Sequence, residues 1–124
     1  MKKGYVAFNL SDAAHAMLLD RHPAKFPMIV AHHVTFAFGV DESFELPQDA
    51  EVKVVGYACD DKIECVVVEV NGSTQRPSDG KLFHITISHT KDAKPVQSND
   101  LLRDQGYESV ENFFLETIPT FNSF

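Results

Sequence analysis

The sequence predicts a small α+β protein built on a mainly antiparallel sheet. Three observations point there. Runs of β-branched and aromatic residues of strand length outnumber helical patterns, and the clearest helical pattern appears once, near the start. The order strand, helix, strand, hairpin, strand also lacks the regular alternation that builds a parallel sheet. At 124 residues the expectation is a single domain over residues 1–124, long enough to bury a core.

The elements follow in order. GYVAFNL, residues 4 to 10, is a strand. Ser11 or Asp12 then caps a helix in which Ala14, Met17 and Leu18 recur at helical spacing, and Pro23 ends it. IVAHHVTFAFGV is a second strand, closed by Gly39 and a polar stretch. EVKVVGYAC and IECVVVEV form a hairpin around Asp60, Asp61 and Lys62. NGSTQRPSDG is a loop by composition, KLFHITISHT another strand, and YESVENFFLETI either a helix or a final strand pair before a mobile FNSF end.

With 18 acidic against 11 basic side chains the net charge is -7, so there is no basic footprint for gripping a long polyanion. The opening MKKGYVAFNL lacks the apolar run of a signal peptide, and no segment is long enough to cross a membrane, so the expected location is the cytoplasm. In the three-residue turn expected here Cys59 faces Ile63 and Cys65 faces Tyr57. That leaves the thiols diagonal neighbours at roughly 7 Å, free and not disulfide-bonded.

Two stretches echo one another: HVTF at residues 33 to 36 and HITI at 84 to 87. Strand alternation puts His33 and Thr35 on one face with Val34 and Phe36 beneath, and His84 and Thr86 on one face with Ile85 and Ile87 beneath. If the strands lie together, two imidazoles and two hydroxyls converge. That set suits cleavage of a phosphodiester, which needs a base, an acid and donors for the nonbridging oxygens. Histidine can serve as either proton carrier near neutrality, and the scheme needs no metal or other cofactor. His32 and His89 have the opposite parity to their motif neighbours, which argues against a metal cluster and turns His32 away from the site. His15 and His22 read as surface residues.

These motifs fit the His-h-[Ser/Thr]-h pair (h, hydrophobic) of the two-histidine (2H) phosphoesterases, and the opening strand and helix resemble that superfamily's start. Within it the chain is most similar to short phage proteins labelled RNA-repair-like, through KFPMIVAHHVTFAFGV, VEVNG, FHITIS and KPVQSND. The resemblance covers about residues 4 to 102. It implies a small bilobal, pseudo-twofold fold with helices outside and both His strands lining a central cleft, and a metal-independent phosphodiesterase acting on cyclic phosphates or cyclic (oligo)nucleotides. His33 and His84 are then the acid/base pair, and Thr35 and Thr86 bind phosphate. The partner is a small nucleotide or a cyclic-phosphate RNA end, the protein a monomer or weak oligomer. A phage source would place it in the host cytoplasm, acting against nucleotide immune signalling. RNA-end repair and a nucleotide-sequestering module are the alternatives. Arg76 and Lys81 either reach a substrate phosphate or solubilise their loop, and Tyr5 either stacks a base or packs in the core. Lys25 and Ser98 are weaker candidates.

Overall fold

Alternating apolar positions decide where this chain folds against itself. A computed structural model describes residues 1–124. They run β1 (Lys3–Leu10), α1 (Asp12–Arg21), β2 (Met28–Ile29), β3 (His33–Asp41), β4 (Val52–Cys59), β5 (Ile63–Val70), β6 (His84–His89), α2 (Gln97–Gln105), β7 (Glu108–Leu115) and β8 (Thr117–Ser123). The strands make a three-stranded sheet in the order β3-β1-β8 and a five-stranded sheet in the order β2-β6-β5-β4-β7. Every pairing is antiparallel.

The main core joins the two sheets. Phe8 and Val34 from the small sheet and Ala14 and Leu18 from α1 pack with Val54, Val66, Val68, Ile85, Ile87 and Phe113 of the large one. A second cluster lies where Leu101 and Leu102 of α2 cover Ala58, Ile63, Cys65 and Val67. This explains why β5 is buried along almost all of its length while β4 alternates: β5 is central and covered on both faces. Ser11 caps α1 as the sequence indicates, its hydroxyl accepting from the Ala14 N–H at 3.1 Å.

Four expectations change. The run from Ile29 to Val40 is not one strand. Ala31 has φ +46°, in the left-handed region, and that separates β2 from β3. The kink is held from both sides, by the Ala31 N–H donating to the Thr86 carbonyl at 2.9 Å and by the His15 Nδ1–H donating to the Ala31 carbonyl at 2.8 Å. His15 is therefore a half-buried structural residue and not a surface one, and His22 likewise stacks on Tyr57 with ring centroids 5.3 Å apart. The β4–β5 turn is one residue longer than expected: Cys59 pairs with Glu64 and Ala58 with Cys65, so the two free thiols lie on opposite faces. Finally, the last residues form β8 along β1, with Gly4 opposite Ser123 and the Phe124 N–H donating to the Lys3 carbonyl, where the sequence suggested a mobile end.

Candidate functional site

Because Val34, Ile85 and Ile87 belong to the inter-sheet core, the alternate residues of β3 and β6 turn the other way. There they border a cleft of about 570 Å³, lined among others by His33, Thr35, His84 and Thr86. Tyr5, Arg76 and Lys81 line the same cleft, so all seven residues singled out as candidate site residues meet in one place. Lys25 does not. It borders a second hollow with His22, Tyr57 and Glu64.

The two histidines differ in their support. His84 donates its Nδ1–H to the Leu82 carbonyl at 2.9 Å, since a carbonyl only accepts, and this leaves Nε2 as the nitrogen that can exchange a proton. Burial pushes its pKa below the usual imidazole value, while that carbonyl pulls back by favouring the charged ring. His33 has no such carbonyl. Burial, then the neighbouring His32 and His84 rings, bring it down to about 4. His33 is thus held neutral over the whole physiological range.

His32 does not line the cleft, as expected, but it is not clear of His33 either. It is exposed, and its Nδ1 lies 2.9 Å from Nδ1 of His33, one of the pair carrying the proton. The physical reason is the Ala31 kink: β3 begins at His33, so strand alternation does not extend back to residue 32. His33 Nδ1 is occupied by this contact, and again Nε2 is left over.

The loop from Asn71 to Gly80 is more ordered than its composition suggests. Gln75 bridges to Leu82, and the Ser78 hydroxyl donates to the Phe36 carbonyl at 3.1 Å, tying the loop to β3. Arg76 is buried, and its Nε and Nη2 donate to the two carboxylate oxygens of Asp79 at 3.0 and 2.7 Å. This fork holds the Asp79 carboxyl below its usual range. Arg76 therefore reaches the cleft as one half of a neutral pair, and Lys81 is the cation there without a carboxylate bridge.

Sequence reasoning underrated one contributor and missed others, Phe124 among them. Ser98, given only as a weak candidate, is fully buried on α2, with its hydroxyl 2.8 Å from that of Thr86. Thr86 also reaches the Pro95 carbonyl at 3.3 Å. Asp79 carried a signal, three residues after Arg76 in a turn. Phe38 carried none, because plain alternation would bury it beside Phe36. The β1–β3 register slips between Val6 and Ala7, so that Ala7 faces Thr35 but Val6 faces Ala37. That bulge turns Ala37 into the core and Phe38 out to the cleft.

Residues 23–118 match the family described as the fungal tRNA ligase phosphodiesterase domain. The chain belongs to that family. It thereby falls in the 2H phosphoesterase superfamily that the paired motifs resemble. The fold is also that of a solved chain titled a fungal RNA kinase, with a TM-score of 0.59 and 16% identity over 99% of the present chain. The match covers 44% of that longer chain. No curated protein sequence matches the chain.

Proposed function

We propose that the protein hydrolyses a cyclic phosphodiester, with a 2′,3′-cyclic phosphate at an RNA end as its substrate class, using His33 as base and His84 as acid. The carrying observation is that both imidazoles and both threonine hydroxyls line one cleft. The family description, a phosphodiesterase domain of tRNA ligase, supports the RNA end over a free nucleotide messenger, and nothing in the comparisons favours a phage source or an immune signal.

In this reading a water lies against His33, which is neutral and so able to take its proton as the water oxygen attacks phosphorus. The P–O bond to one ribose oxygen breaks, and His84 Nε2–H delivers a proton to that oxygen. Thr35 and Thr86 donate to the nonbridging oxygens. The sum is one water consumed and one phosphomonoester formed. The roles divide this way because the Leu82 carbonyl favours the charged form of His84, whereas His33 lacks comparable help. A bound phosphate anion raises the affinity of His84 for its proton further. His33 and His84 are the catalytic residues, with Thr35 and Thr86 binding phosphate and Lys81 and the Arg76–Asp79 pair bordering the substrate.

Mass spectrometry of products from 2′,3′-cyclic-phosphate RNA ends and a panel of cyclic nucleotides, in EDTA, tests this. The expected product is the linear monophosphate, 18 Da heavier, roughly the mass of one added water as the general acid–base scheme requires. Recovery of every ligand unchanged after stoichiometric incubation would favour a sequestering module.

A further inference from the structure

Beside the paired motifs the cleft has a feature that phosphate chemistry does not use. Tyr5, Phe38 and Phe124 form a triangle of rings, with centroids 6.2 Å apart for Tyr5–Phe38, 6.3 Å for Tyr5–Phe124 and 5.2 Å for Phe38–Phe124. All three line the cleft. Tyr5 also touches the catalytic side, its ring centroid 4.8 Å from that of His33. Phe38 and Phe124 are 67% and 71% exposed, so neither is there to fill the core. Leaving two large apolar rings in water forgoes the gain of burying them. The backbone nevertheless holds them out: the bulge described above turns Phe38 to the cleft, Gly39 follows it at φ +74°, and the Phe124 N–H is bonded to Lys3.

We infer that this aromatic triangle is the binding site for the base of the substrate's terminal nucleotide, and that the protein recognises an RNA end by stacking and not by gripping the backbone. The inference rests on the proposed reaction, because the triangle adjoins His33 and a phosphate held between the histidines places the attached nucleoside against Tyr5. Charge supports it. The cleft has one cation outside an ion pair, Lys81, in a chain of net charge -7, so electrostatic capture of a strand is weak. Stacking on an aromatic face supplies affinity of a different kind, independent of salt and tolerant of base identity, worth about 5- to 140-fold per base on removal of the ring. A pocket of this size accommodates a nucleotide.

The probe is 2-aminopurine riboside 2′-phosphate, whose fluorescence is quenched by stacking, with ribose 2-phosphate as its abasic counterpart. The wild-type chain should quench the first and bind it at least tenfold more tightly than the second. Phe38→Ala should weaken binding of the aminopurine probe about tenfold and restore its fluorescence. Phe38→Trp should keep the quenching, and Phe114→Ala, an exposed ring on β7 outside the cleft, should change neither. Equal affinity for the two probes, or unaltered quenching in Phe38→Ala, overturns the inference. So does a change of oligomeric state in Phe38→Ala with binding intact, which would mean a second copy covers these rings. Quenching without turnover of the cyclic phosphate would leave the base site standing and sink the proposed reaction. Turnover without quenching would do the reverse.

Discussion

At the scale of single residues, Thr86 can serve a phosphate only if its one hydroxyl proton is free. The arrangement around it provides for this. When Thr86 donates to the Pro95 carbonyl, Ser98 donates to Thr86, and on substrate binding the Thr86 proton can swing to a phosphate oxygen while Ser98 keeps its place. In the proposed reaction Ser98 is thus a positioning residue. Ser98→Ala should lower kcat/KM about tenfold, the loss of roughly one hydrogen bond's orientation. In a Thr86→Ala background the same change should cost almost nothing further. Steady-state kinetics on the four proteins checks this, with a melting curve for each to separate unfolding from misplacement. An equal loss in both backgrounds would show that Ser98 acts independently of Thr86.

At the scale of elements, two glycines let strands and loops approach. A Cβ on Gly4 would sit 2.0 Å from the Asn122 carbonyl oxygen, in the backbone of β8, which cannot yield without separating β1 from β8. A Cβ on Gly56 would meet the ring of Tyr107 at 2.2 Å, but that half-exposed side chain can swing away. Gly4→Ala should therefore cost more than Gly56→Ala, about 2–3 kcal/mol against about 1. Urea unfolding midpoints decide the order, and the reverse order would place the tighter constraint at β4.

The same elements show what a sequence can and cannot reveal. β1, the Ser11-capped α1, the β4–β5 hairpin and both His-x-Thr strands were legible, because their signals are local: alternation, a cap, a β-branched run. The α2 segment QSNDLLRDQ was not. It is mostly polar and owes its burial to two leucines that meet β4 and β5 only in the folded chain. β8 carries Pro119 and little alternation, and it is a strand because β1 has a free edge for it. The Ala31 kink and the β3 bulge are likewise tertiary effects. They account for the His32–His33 contact and for the place of Phe38, so the convergence of the two motifs on one cleft was legible while the aromatic wall of that cleft was not.

At the scale of the whole molecule, His22, His33 and His84 all titrate lower than a free imidazole, each chiefly because of burial. The unfolded chain then binds more protons than the folded one below the ordinary value of about 6.5. Stability from these groups is complete above that pH and is lost as pH falls toward about 4, where His33 titrates. Melting temperature should fall steadily from pH 7 to pH 4.5, before Asp41, Asp79 and Asp104, all held below their usual range, begin to titrate. His33→Asn should flatten part of the slope. A melting temperature constant across this window would mean that the imidazoles are solvated. The acidic surface has a second consequence. With Lys81 as the free cation of the cleft, log affinity for a cyclic-phosphate RNA end should fall against log salt with a slope no steeper than about -1.

If His33 and His84 share the proton transfers, the pH dependence of kcat/KM for a 2′,3′-cyclic nucleotide in EDTA reports both of them. As the base, His33 must be deprotonated, so activity should rise with pH around 4; as the acid, His84 must keep its proton, so activity should fall at a pH below the usual imidazole value. The expected profile is a bell with its maximum on the acid side of 6.5, displaced upward for kcat, where bound phosphate holds the His84 proton. His33→Ala and His84→Ala should each lower kcat/KM by about 10²- to 10⁴-fold, and the double variant by little more. Wild-type turnover in either single variant would rule out this division of the proton transfers.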